Sequence, residues 1–486
     1  MNHDVADASQ RSIVTPGRNA WRVEQATALA FLVDGQNYFK ALDSVLRQAR
    51  RCIRIIGWDF NPDILLRPGH SEETLGALLR SLVEERPELE VRILVWSMGP
   101  IYSGHSLKLF RESGWSSHPR IHLRFDTRHA LRGSHHQKIV TVDDSTAFVG
   151  GIDLTGGRWD TREHKAQDDR RIKPDGEAYG PVHDVQTLVA GPAAGAVAEL
   201  ARWRWEKATG EQGEALVPSG EPAWPQDLPP DMRGCSVAIG RAVPALAGIG
   251  GRRETIKLTH DAIAAARRHI YIETQYLASF GVGEAIAKRL REPDGPEIAI
   301  LVTSSSRGLL EQFVMAHNRD RLLRRLKKAD RYGRLRVRYA VVPRKGGGDC
   351  EVLVHAKVLV VDDSFIRVGS SNLNNRSEGL DTECDIAVEA ASDAERRAIS
   401  AFRDRLLAEH LDVSVNEVSE LMAKGSLVAV IDTLNTRARG LRRFRIDLEK
   451  GGTSPLPGTK LLDPKEPFRP FKKIREAISW LGGGAL

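Results

Sequence analysis

Only four cysteines occur in 486 residues, with no CxxC pair among them and no histidine at ligand spacing. Cys52, Cys235, Cys350 and Cys384 therefore give no sign of a disulfide framework or a cysteine-based zinc module, and they fit unpaired thiols in a reducing compartment. Also lacking is any uninterrupted apolar run of the roughly 18 to 20 residues that a bilayer span needs. The start, MNHDVADASQRSIV, shows neither the basic nor the apolar segment of a leader. A cytoplasmic protein is expected, at most peripheral to the inner membrane face. Surplus charge is scarce outside one region. Of the net charge of +7, the segment Ile431 to Leu486 supplies +6, with 12 Lys+Arg against 6 Asp+Glu, leaving 59 basic and 58 acidic residues elsewhere. That near balance speaks against a broad basic surface of the nucleic-acid-binding kind, while a basic tail suits an anionic surface such as lipid. What remains is ample: 41% hydrophobic and 28% charged residues are enough for one large core or two ordinary ones.

The chain is written twice. Asp43-SVLRQARRCIRIIGW-Asp59 resembles Asp261-AIAAARRHIYIETQ-Tyr276, Ile93-LVWS resembles Ile300-LVTS, and His136-QKIVTVDDSTAFVGGID resembles His355-AKVLVVDDSFIRVGSSN, at offsets of 217, 207 and 219 residues. A duplicated chain can bring two half-sites face to face around a pseudo-two-fold axis. Between the copies, the Gly-, Pro- and Glu-rich stretch Thr209 to Gly234 reads as a linker. Short β-branched runs alternate with amphipathic stretches such as Ala194 to Lys207 and Leu309 to Lys328, the pattern of α/β units. The expected organisation is an N-terminal extension over 1–30, a first unit over 31–208, a linker over 209–240, a second unit over 241–412 and a basic extension over 413–486.

Both copies share the spacing His-x-Lys-x(4)-Asp: His136, Lys138 and Asp143 in the first, His355, Lys357 and Asp362 in the second. Side chains two apart in a strand point the same way, so each half-site offers one imidazole and one ammonium. Two of each around one pocket suit displacement at a phosphodiester. A neutral histidine attacks phosphorus, a protonated one serves the leaving alkoxide, and the ammonium groups balance oxyanion charge without a metal. No cofactor and no metal are expected. A small-residue turn follows each motif, placing Gly151 and Asp153 in the first copy and Ser370, Asn372 and Asn374 in the second as candidate phosphate-binding residues. Asp143 and Asp362, part of the motif, suit fixing the turn after each strand better than carrying protons.

At these residues the chain resembles the phospholipase D superfamily, whose signature is the doubled HxKxxxxD motif with GSxN after the second. The resemblance runs from about Phe31 to about Leu411. It implies two α/β/α sandwich domains sharing one active site at their interface, His136 as nucleophile and His355 as general acid. It also implies a carboxylate on the far nitrogen of each histidine, with Glu383 as the candidate for His355 and Asp184 for His136. Gly150-GIDLTGGRWDT-Arg162, Pro181-VHDVQ, Tyr271-IETQYL and Gly369-SSNLNNRSEGLDTE resemble the lipid-acting branch. Asp153 in place of Asn372's counterpart, and Pro181-Val182 where Pro-Trp is common, depart from the pattern.

Trp58, Trp96, Trp159 and Tyr276 are positioned to line a mouth for a glycerophospholipid, and Phe468-RPFKKIREAISW-Leu481 has the spacing of an interfacial helix. The leading expectation is a phospholipase D that forms phosphatidic acid, with transfer of the phosphatidyl group to alcohols as a second outcome. A cardiolipin-synthase-like phosphatidyltransferase, a nuclease and a non-catalytic anionic-lipid-binding protein stay open. Because both half-sites lie in one chain, a monomer suffices.

Overall fold

The computed structural model describes residues 12–99, 114–217, 220–246, 249–305, 309–459 and 463–467. The expected interfacial helix at Phe468 to Leu481 lies outside them.

Each copy builds a seven-stranded mixed sheet in the same spatial order. In the first copy the order is Ile121–Asp126, Glu90–Trp96, Cys52–Gly57, Ile139–Val142, Thr146–Gly150, Val185–Ala190 and Arg22–Val33. In the second it is Leu335–Pro343, Glu297–Val302, His269–Thr274, Lys357–Val361, Phe365–Gly369, Glu383–Glu389 and Met232–Val243. The first three strands of each order run parallel and the rest antiparallel. Runs such as Ile-Val-Thr-Val and Lys-Val-Leu-Val-Val are buried on both faces, as strands covered from two sides must be.

The last strand of each order pairs with its counterpart, Arg22 opposite Ile239 through Leu29 opposite Met232, so the two sheets run into one another. Three apolar clusters result. One covers the outer face of the first copy under helices Asp34–Leu46 and Leu75–Glu85. Another covers that of the second under Glu254–Ala265 and Phe280–Arg291. The third is drawn from both copies, with Val149, Val185 and Val237 beside Val358, Val368 and Ile386. Helices Pro192–Thr209 and Asp393–Leu411 supply Leu200, Trp205, Phe402 and Leu406 to it.

This is the α/β architecture of two repeated units that the sequence implied, with boundaries that need correcting. The limits expected at residues 30/31 and 240/241 fall inside the joining strands Arg22–Val33 and Met232–Val243, because the joining strands belong to the sheets. Part of the expected C-terminal extension also belongs to the body. Helix Leu427–Leu434 buries Leu427, Val430 and Ile431, and Gly440–Arg443 pairs with Leu335–Pro343. Among the described residues no helix is long and apolar enough to cross a membrane.

The motif aspartates take a structural place. Asp143 and Asp144, like Asp362 and Asp363, hold φ between 51° and 56° at the tips of equivalent hairpins, a conformation Asp tolerates in such turns. The Asp143 carboxylate accepts hydrogen bonds from the backbone N–H groups of Arg50, Arg51 and Cys52, all at 2.8 Å. Asp362 repeats this with Arg268 and His269, also at 2.8 Å. That is the turn-fixing role expected of them rather than a catalytic one: their oxygens tie the hairpin to the neighbouring strand's start. Asp143→Ala is expected to lower stability by about 3 kcal/mol, since bonds to an ionised acceptor contribute about 1.5–3 kcal/mol, while kcat stays within about twofold. Thermal unfolding alongside steady-state kinetics checks this.

Candidate active site

His136 and His355 stand just before the strands Ile139–Val142 and Lys357–Val361. Each is fixed by backbone from the other copy. His136 N–H donates to Thr382 O at 3.1 Å, and His355 N–H to His183 O at 2.8 Å. Their preceding residues form parallel pairs, His135 with Thr382 and Val354 with His183. These two symmetric splices bring the half-sites together.

The splices also decide which carboxylate serves which imidazole. His136 Nδ1 faces both oxygens of Glu383, at 3.0 and 3.1 Å. His355 Nδ1 lies 2.7 Å from Asp184 Oδ2. The pairing expected from the sequence, Asp184 with His136 and Glu383 with His355, is corrected to the crossed one. Glu383 and Asp184 directly follow Thr382 and His183, the residues that accept from the opposite histidine's backbone, so their side chains meet that histidine. With each Nδ1 engaged, each Nε2 is left for chemistry.

Both imidazoles line one cavity of about 590 Å³. Asp153, Asn372 and Asn374 line it too. Trp58 and Trp96, 5.6 Å apart between ring centroids, share its wall with Met98, Tyr276 and Met315. Trp159 does not; it is buried in the first copy's core. Several of the small-residue turn's expected roles also change. A Cβ on Gly151 would lie 2.1 Å from Asp184 Oδ1, so glycine there admits the carboxylate that orients His355. The Gly151 and Ser370 N–H groups donate to Val185 O and Cys384 O, each at 3.1 Å, and are not free for an oxyanion. Ser370 Oγ donates to Glu383 Oε2. Asp153 pairs with Lys138 at 3.1 Å and accepts from Trp58 N–H at 2.9 Å. That leaves the two asparagines as the turn's neutral cavity groups. Asn372 Oδ1 has no partner among the described residues, and Asn374 Oδ1 accepts from Ser377 N–H.

Lys138 and Lys357, 2% and 1% exposed, stand behind the imidazoles, each donating to its own histidine's carbonyl. They reach the cavity as field rather than as wall. The cationic lining is instead arginine: Arg158, Arg132 and Arg376. Arg158 went unremarked in the sequence although it lies in the Gly150–Arg162 segment. A left-handed Gly157, φ +75°, directly precedes it, and its Nε has no partner among the described residues.

The electrostatics are asymmetric. Burial and the nearby ammonium groups hold both histidines well below the usual imidazole range. Burial lowers Lys357, which among the described residues has no ion pair of the kind Asp153 gives Lys138, to about 7. Burial raises Glu383 to about 8 and shifts Asp184 upward. Before substrate arrives, the site therefore carries too much positive charge for either imidazole to become an imidazolium. An arriving phosphodiester anion relieves that surplus and lets one imidazole take a proton.

Glu383→Gln is expected to lower kcat by about 10²–10⁴-fold and to abolish the pre-steady-state burst, because His136 loses its tautomer. With a nitrophenyl phosphodiester, whose leaving group needs no proton, Asp184→Asn should cost as much while the burst survives. Rapid-quench kinetics on the two variants reads out the crossed pairing.

Comparisons with known proteins bear on the family of the chain. Residues 45–223 match the family model described as Phospholipase D, and residues 260–405 that described as Cardiolipin synthase, PLD-like domain. Phospholipase D1 of Saccharomyces cerevisiae is 25% identical over 74% of this chain and 26% of its own length. Phospholipase D1 of Schizosaccharomyces pombe is 23% identical over 82% of this chain and 36% of its own. Arabidopsis thaliana Phospholipase D alpha 4 is 25% identical over 77% and 63%. The chain thus spans only about a quarter to a third of the two yeast relatives. The crystal structure of phosphatidylserine synthase from Haemophilus influenzae superposes with a TM-score of 0.52 at 13% identity, over 86% of this chain and 96% of that one, a likeness of fold. Each matched segment contains one histidine of the shared cavity, and on that ground the chain belongs to the phospholipase D superfamily.

Proposed function

We propose that this chain is a phospholipase D that hydrolyses phospholipid phosphodiester bonds to phosphatidic acid and a free head-group alcohol. The observation that carries this is one cavity into which two carboxylate-oriented imidazoles from the two copies both open. His136 Nε2 attacks phosphorus while Nδ1–H donates to Glu383. The bond from phosphorus to the head-group oxygen breaks, and His355 gives that oxygen its Nε2 proton. Water then attacks the phosphohistidine, His355 takes its proton, and the P–N bond breaks. Arg158 and the asparagine amides face the phosphoryl oxygens, with Lys138 and Lys357 adding charge from behind. Both half-sites lie in one chain, so a monomer suffices.

A lipid substrate is favoured by the tryptophan, tyrosine and methionine wall, which suits a diacylglycerol body better than a sugar-phosphate chain. Phosphatidyl transfer to an alcohol is the second reading. It differs only in the acceptor that enters after the head group leaves, and the match of residues 260–405 to the cardiolipin synthase description favours it. Incubation with phosphatidylcholine vesicles, plasmid DNA and a primary alcohol tests both. Phosphatidic acid, with phosphatidyl alcohol rising as alcohol is added, is expected. Nicked plasmid with intact lipid would overturn the lipid reading.

A further inference from the structure

A second constellation of titratable groups lies wholly in the interior, reached through His183, the residue before Asp184. Asp34, His164, His183 and Glu409 are each at most 4% exposed. Four of their atoms converge. His183 Nδ1 is 3.0 Å from Asp34 Oδ1 and 3.1 Å from Glu409 Oε1. His164 Nε2 is 3.0 Å from the same Glu409 oxygen and 3.5 Å from the same Asp34 oxygen. A cation held at about 2.0–2.1 Å by four tetrahedral N and O ligands sets ligand-to-ligand edges of about 3.3 Å, the middle of this range.

The outward-facing nitrogens complete the pattern. His164 Nδ1 meets Asp160 Oδ2 and His183 Nε2 meets Glu273 Oε2, both at 2.9 Å. Those carboxylates are held in turn, Asp160 by Arg171 at 3.0 Å and Glu273 by Tyr271 at 2.6 Å and His410 at 2.9 Å. A histidine that ligates a metal through one nitrogen characteristically donates the other N–H to such a carboxylate. Asp34 Oδ2, in a side chain 1% exposed, has no hydrogen-bond partner among the described residues. With the carboxylates ionised, hydrogen bonding alone puts a proton on all four imidazole nitrogens, two buried imidazoliums with ring centroids 5.7 Å apart. One divalent cation carries the same charge as those two protons, which leave as it binds.

We propose that Asp34 Oδ1, His164 Nε2, His183 Nδ1 and Glu409 Oε1 bind one divalent cation, zinc by donor type and tetrahedral spacing. The sequence shows no such site because its ligands are scattered from residue 34 to residue 409. The ion cross-links the first copy to helix Asp393–Leu411 of the second beside Asp184. No step of the phosphoryl chemistry runs through it.

The test is metal analysis of the full chain, grown with zinc, purified without chelator and passed over chelating resin to strip surface-bound ions. One zinc per chain is expected, with an X-ray absorption spectrum showing four N/O neighbours at about 2.0 Å, two of them imidazole. His164→Gln and Glu409→Gln should each lower retained zinc by about tenfold or more. The proposal is overturned if wild-type protein retains no stoichiometric metal even after incubation with excess zinc. It is equally overturned if the zinc is retained undiminished in both variants, which would place it elsewhere. The wild-type stoichiometry and spectrum decide the matter even where a variant fails to fold.

Discussion

His136→Ala is expected to lower turnover of phospholipid by about 10⁵–10⁶-fold, the scale for losing the nucleophile from machinery that acts as a unit. The argument rests on what the substitution leaves behind. Glu383, raised to about 8 by burial, can take up a proton once the imidazole is gone, with Ser370 still donating to it. No uncompensated charge is stranded, so the chain should fold and bind lipid with KM changed far less than kcat. The double variant His136→Ala/His355→Ala should be little worse than either single one, because each alone stops the same sequence of steps. Steady-state kinetics with circular dichroism as the folding control checks this, and activity near wild type in His136→Ala refutes the nucleophile assignment.

The second large effect is expected of His355→Asn, and it depends on the leaving group. An aliphatic head-group alkoxide needs a proton to depart, so phosphatidylcholine turnover should fall by about 10⁴–10⁵-fold when the acid is removed. A nitrophenyl phosphodiester leaves without that help. It should give a burst of one nitrophenol per chain and then stall, since no group remains to deprotonate water. Intact mass should show the chain carrying the phosphoryl adduct, and peptide mapping should place it on His136. Steady nitrophenol release, or an adduct elsewhere, contradicts the division of roles.

Much of this was legible from the residues. The duplication, the α/β class and the two His-x-Lys pairs could be read because each depends on local pattern repeated at a near-constant offset. What could not be read depends on how the copies meet. Glu383 and Asp184 came forward as orienting carboxylates through the family resemblance, yet their crossed partners follow from the pairs His135 with Thr382 and Val354 with His183, long-range contacts that leave no periodic trace. Gly151 and Ser370 read as phosphate-binding residues, but the sheet claims their N–H groups. Lys138 and Lys357 read as phosphate clamps because alternation puts them on the histidine's side, but it does not say that each ammonium turns back to its own histidine's carbonyl. Arg158 was overlooked because one arginine after two glycines carries no signal until a cavity forms around it.

The most direct test of the central claim is a crystal structure of the chain with tungstate or vanadate, which imitate a phosphoryl group. The account predicts the oxyanion centre between the two imidazoles, with Nε2 of His136 and Nε2 of His355 both within about 3.5 Å of it and on opposite sides, the separation of reacting atoms poised for attack. An oxyanion held by one histidine while the other lies beyond hydrogen-bond reach, or held by the arginines alone, would contradict it.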